Sequence, residues 1–164
     1  MADDNDPIEH LRTLTDADRV VMVATAAPRG LDARPLTVLE VDDNGACWFL
    51  VSRAADWVPA LADNDEAIVT GSNPSDGSWF SATGRATVVD DVERARALWN
   101  LAANAWFEGP DDPDLVALKV EPETLSTWET PSNRLVHLVQ IAKAVVTHDA
   151  NDTGTRQVEA IPPT

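Results

Sequence analysis

The chain has 164 residues, 44% apolar and 24% charged, which suits one globular domain with a real core and excludes a disordered or fibrous chain. Its 28 acidic residues against 12 basic ones give a formal charge of −16, and a field of that sign repels nucleic-acid backbones and anionic membrane surfaces. Cys47 is the single cysteine, so an intrachain disulfide and a cysteine-based metal cluster are excluded.

Residues 148–164 are read as a loose polar tail and residues 1–147 as one domain. Within it, Pro7 to Asp16 predicts a short helix, with Ile8, Leu11 and Leu14 at three-residue spacing. Arg19 to Ala26 is β-branched and almost continuously apolar, a buried strand. After the Pro28-Arg29-Gly30 turn, Leu31 to Val41 predicts a second strand, in which Pro35 removes a ladder donor and demands an edge or a bulge. Asp43-Asn44-Gly45 is a hairpin signal, and Ala46 to Ser52 a third strand. Ala54 to Asn64 reads as a short helix capped by Asp56, with Pro59 in its first turn. Ala67 to Gly71 and Ser78 to Val89 are further strands around the loop Ser72 to Gly77, with Gly84 a bulge or a point of close approach. Asp90 to Ala105 is expected to be one long amphipathic helix, Asp90 and Glu93 forming its capping box. Leu115 to Val120 and Thr124 to Glu129 read as two strands split by Glu121-Pro122, and Ser132 to Val146 as a final helix. Mostly antiparallel connections with few helices imply a small barrel decorated by helices.

Several chemistries lack their residues. His10, His137 and His148 are scattered without metal-ligand spacing, so no metal is expected. No phosphate-binding glycine loop or nucleophile elbow follows a strand. Cys47 lies in an apolar run, as a core residue would. The acidic start MADDNDPIEH reads against a secretory signal, and no stretch approaches the ~20 apolar residues of a spanning helix, so a cytoplasmic protein is expected. Asp111, Asp112 and Asp114 read as solvated turns, and Arg34, on residue type alone, as a surface ion pair. With only Lys119 and Lys143 as lysines, a bound phosphate would depend on arginine, hydroxyls and backbone N–H groups. Ser52-Arg53 stands at a strand-to-helix junction, where free N–H groups suit an anion. Trp106-Phe107, before a Gly-Pro turn, suits either a ligand-stacking role or a core or dimer contact.

The phrases RVVMVATAAPRGLDARPLTVLEVDDNGACWFLVSR, SATGRATVVDD and LWNLAANAWFEGPDDPDL resemble the general-stress-protein branch of the pyridoxamine 5′-phosphate oxidase-like family. The resemblance runs from about Pro7 to Val146 and is most specific at Trp99 to Asp114. It implies a mainly β (α+β) fold, a split β-barrel of about six to seven antiparallel strands with flanking helices. It also implies a homodimer with FMN in clefts at the interface. On it, Arg34, Pro35, Leu36 and Thr37 match the strand along the flavin, Ser52 and Arg53 start the phosphate-binding turn, and Trp106 and Phe107 lie near the ring. The usual Ser-Arg-Asp-Ser-x-Lys turn reads Ser52-Arg53-Ala54-Ala55-Asp56-Trp57, so Ala55 and Trp57 stand where Ser and Lys are usual. On that comparison, Asp56→Ser with Trp57→Lys should raise FMN affinity. A flavin-binding protein, with flavin-dependent oxidoreductase chemistry as its enzymatic form, is one reading. A cofactor-less dimeric binding module, or the same cleft holding a deazaflavin or haem, is the other.

Overall fold

The computed structural model describes residues 6–17, 19–73, 75, 77–129 and 155–161. Helix α1 (Pro7–Ala17) leads into β1 (Val20–Ala27), β2 (Gly30–Thr37), β3 (Glu40–Val41) and β4 (Cys47–Ser52). Next come a 3-10 turn at Pro59–Ala62, β5 (Glu66–Asn73), β6 (Ser78–Val89), α2 (Val92–Leu98) and a second 3-10 turn at Leu101–Ala105. The last two strands are β7 (Leu115–Glu129) and β8 (Thr155–Ala160).

All strand pairs are antiparallel, in the order β2-β1-β5-β6-β7-β4-β3, with β8 added to β7. The two ends of this order, β2 and β3, are separated in the chain only by Val38 and Leu39. The sheet must therefore curl until its edges meet, which makes a barrel. Val38 N–H bonds the Arg19 carbonyl at 2.8 Å and Leu39 N–H the Trp48 carbonyl at 2.9 Å, so one residue serves each edge. Inside lie Leu11 of α1, Val21, Val23, Phe49, Val69 and Leu118. Cys47 belongs to this core, and burial pushes its thiol up to about 12, which removes it as a nucleophile.

The other strand expectations hold, with refinements, but Leu31 to Val41, read as one strand, is two: the chain leaves β2 at Val38 and Leu39 to start β3, because β2 pairs with β1 and β3 with β4 at the far end of the sheet. Pro35 occupies edge strand β2, whose pairing with β1 is continuous, so edge position alone accommodates it. The two strands read on either side of Glu121-Pro122 are one strand, β7. Its partner changes there: β4 pairs up to Val120 and β8 begins at Thr124, so Pro122 falls between the two ladders on that side. On the other side the register with β6 shifts between Thr83 and Gly84, as expected of a bulge.

Three further expectations are corrected. Ala54 to Asn64 is not a helix: turns lead to a single 3-10 turn at Pro59–Ala62, preceded by Val58 with no side-chain cap, and Asp56 caps nothing there. Without a capping side chain a helix of this length is not nucleated. Asp90 to Ala105 is broken in two. Trp99 turns extended, and the Asn100 side chain accepts from Ala103 N–H at 3.2 Å to start the second piece. The cap of α2 is Asp91, not Asp90. Finally, Thr155–Ala160 of the supposed tail is a strand. The helix read at Ser132 to Val146 lies outside the described residues.

The β3–β4 hairpin depends on Asp42. Its Oδ1 accepts from Asn44 and Ala46 N–H, both at 3.0 Å, and its Oδ2 from the Trp48 indole at 2.9 Å. Burial opposes its ionisation, but these bonds and Lys119 outweigh that and lower its pKa. Asp42→Ala should lose about 2–3 kcal/mol, since it orphans the indole of a buried tryptophan. A depressed carboxylate stabilises above its unfolded pKa, and that contribution fades as pH falls through the folded value. The gap between wild type and Asp42→Ala in urea unfolding should therefore be full at neutral pH and shrink below about pH 4.

Candidate functional site

The register of the first hairpin places Arg34. The turn pairs Ala27 with Gly30, which sets Arg34 opposite Val23 and Thr25 opposite Asp32, on the inner face of the sheet. Diagonal neighbours on one face are within reach of a long side chain. Arg34 Nη1 donates to Thr25 Oγ1 at 2.9 Å, and Nη2 to the Asp32 carbonyl at 2.9 Å and Asp32 Oδ2 at 3.3 Å. Its guanidinium carbon lies 4.1 Å from the centre of the Trp57 ring, a cation–π contact. The side chain is 13% exposed, and its Nε is buried with no hydrogen-bond partner among the described residues. Leu36 shares this face and packs on the core, whereas Pro35 and Thr37 are exposed.

Arg53 occupies a second cluster. Ser52 Oγ accepts from Ala54 N–H at 3.2 Å and starts the turn. Arg53 N–H donates to the Asp114 carbonyl at 2.8 Å and Nε to the Pro113 carbonyl at 3.1 Å. The fork of its guanidinium grips Asp90, Nη2 to Oδ1 at 2.7 Å and Nη1 to Oδ2 at 3.3 Å. That hydrogen-bonded pairing, then its charge, raises the Arg53 pKa and lowers that of Asp90.

The turn that Arg53 touches is the one that follows Trp106-Phe107. Asp112 Oδ2 accepts from Glu108 N–H at 3.0 Å and Oδ1 from Asp114 N–H at 2.9 Å, bonds that hold its carboxyl below the usual range. Trp106 is 84% exposed and Phe107 half-buried. The fold thus joins Ser52 and Arg53 to the segment after Phe107 and joins Arg34 to Trp57. The link between the clusters is the turn from Arg53 to Trp57, whose last residue is 7% exposed in the core.

Two clefts are lined by other residues. One of about 150 Å³ lies between α1 and Val38–Val41, the other, about 450 Å³, between Val58–Ala62 and Ala86–Val88. None of the candidate residues lines either. Among the described residues no group of three or more His, Cys, Asp or Glu is placed to hold a metal ion, and no helix is long and apolar enough to cross a membrane.

Sequence reasoning missed Thr25, Asp90 and the place of Trp57. Thr25 was reachable by counting outward from the Pro28-Arg29 turn. Asp90 had no signal, since a capping box predicted a different job for it.

Residues 6–152 match the family described as pyridoxamine 5′-phosphate oxidase like. The chain belongs to this family. General stress protein 26 of Bacillus subtilis (strain 168) is 33% identical over 48 residues, which are 29% of this chain and 34% of that protein. The match therefore spans about a third of that relative's length. A structure described as a general stress protein 26 from Jannaschia sp. CCS1 aligns at 26% identity, over 94% of this chain and 98% of that one, with a TM-score of 0.65. A family protein from Nostoc punctiforme PCC 73102, described as FMN binding, aligns at 16% identity over 95% and 93%, with a TM-score of 0.60. At that identity the likeness shows the fold alone, and the fold is the split barrel that the family resemblance implied.

Proposed function

We propose that this family member binds a flavin, FMN in the first instance, in a cleft completed by a second copy of the chain. The observation behind this is the Arg34 guanidinium. It is almost buried, oriented by Thr25, Asp32 and Trp57, and has one donor, Nε, without a partner among the described residues. A buried donor of that kind costs stability unless a ligand or water oxygen meets it. Arg34, Ser52 and Arg53 would hold the polar arm, and Pro35, Leu36, Thr37, Trp106 and Phe107 would flank the ring. When bound, the flavin supplies electron or hydride transfer at its ring, and the protein's part is orientation and exclusion of water.

Dimerisation has its own support. Two rows cross six strands on the outer face without a charged residue: Pro35, Met22, Thr70, Ser81, Ser126, Val158, and Ala33, Ala24, Ile68, Thr83, Thr124, Ala160. Met22, Ile68 and Val158 are 42%, 38% and 58% exposed. On a chain of net charge −16, such a face is what an interface between copies requires. It includes Ala33 and Pro35 on the outward side of β2.

A cofactor-less dimeric module is the second reading, favoured by the Arg53–Asp90 pair and the buried Trp57. Titration separates them. FMN should quench tryptophan fluorescence with micromolar or tighter affinity, and the loaded protein should be yellow. A colourless protein that responds to neither FMN, FAD nor a deazaflavin would leave the module reading standing.

A further inference from the structure

We infer that Asp90 sets how much the site gains from a phosphate: by occupying Arg53 it makes the protein bind riboflavin nearly as well as FMN. This rests on the flavin reading above and says which part of the flavin is recognised.

A phosphomonoester is held best by a guanidinium whose two parallel N–H groups face it. Arg53 has such a fork, but both arms end on Asp90, at 2.7 and 3.3 Å, and its Nε ends on the Pro113 carbonyl. Its Nε and the parallel N–H pair of its fork are thereby used inside the chain. Arg34 has a carboxylate of its own in Asp32, and of its nitrogens only Nε is without a partner among the described residues. Each arginine thus arrives with its charge balanced by an aspartate. Asp56, in the same turn, adds a negative charge. A dianionic phosphate would have to displace Asp90 from Arg53 and then sit beside that carboxylate, whereas a neutral ribityl end would do neither. Asp90 is free for this duty because Asp91, not Asp90, caps α2 through Glu93 and Arg94 N–H at 2.9 and 3.2 Å.

The test is the ratio of riboflavin to FMN dissociation constants, measured by tryptophan quenching on the full chain. In wild type the two should lie within about fivefold. Asp90→Asn removes the competing charge and leaves the cap, so the ratio should move about tenfold towards FMN. Adding Arg53→Met to Asp90→Asn should erase that movement. A wild-type preference for FMN of a hundredfold or so, an Asp90→Asn ratio equal to wild type, or a shift that survives Arg53→Met would each overturn the inference while flavin binding stands. Failure of both flavins to bind wild type and Asp90→Asn alike would overturn the flavin reading itself, and this inference with it.

Discussion

Gly84→Ala should destabilise the protein by about 3 kcal/mol or more, whereas Gly109→Ala should change stability by less than about 0.5 kcal/mol. A Cβ built on Gly84 would fall inside the van der Waals shell of the Glu121 carbonyl and press on the Pro122 Cα, both backbone. Neither neighbour can swing away as a side-chain tip could. This is where β7 changes partner from β4 to β8 and where its register with β6 slips. Making room would force apart the two long strands at the centre of the sheet. Gly109 meets nothing within 4 Å. Urea unfolding of both variants checks the contrast. Equal stabilities would mean that β6 and β7 are not in close contact at this bulge.

The barrel was legible in the sequence wherever a turn or a breaker announced it. Pro28-Arg29-Gly30 and Asp43-Asn44-Gly45 marked the hairpins, and Pro35 marked an edge. What escaped was set by distant pairing. Thr155 to Ala160 (TRQVEA) has little apolar alternation, and it is a strand because β7 offers it a ladder. Asn100 breaks the predicted long helix because its side chain serves a backbone N–H better as a cap than as a helical residue. The site divides in the same way. The surroundings of Arg34 follow from one local hairpin, so counting residues would have found Thr25. Those of Arg53 depend on β4, β7 and β6 lying side by side, which brings the end of β6, and Asp90 after it, to the end of β4. No local pattern records that.

Trp57→Lys should cost about 4 kcal/mol and should not improve FMN binding, the reverse of what the Ser-Arg-Asp-Ser-x-Lys comparison implies. Trp57 looks, in sequence, like a lost phosphate ligand. In the fold it is 7% exposed, packed in the main core, and its ring faces the Arg34 guanidinium at 4.1 Å. Replacing it with lysine removes a buried indole, a loss of about 3–5 kcal/mol in alanine truncations. The new ammonium would also start from a buried position beside Arg34, where a like charge and desolvation both disfavour it. Arg34 would lose the surface that orients it, so the guanidinium proposed to meet the ligand would be less well placed. Trp57→Phe keeps an aromatic face and should cost less than the lysine change. The measurement is urea unfolding of the three proteins, with FMN titration of those that fold. A lysine variant as stable as wild type would show that position 57 is a solvent-facing place in the turn, where a cation could reach a phosphate. A phenylalanine variant that keeps FMN affinity while Trp57→Lys loses it would assign Trp57 to orienting Arg34, the role that its place beneath the guanidinium predicts.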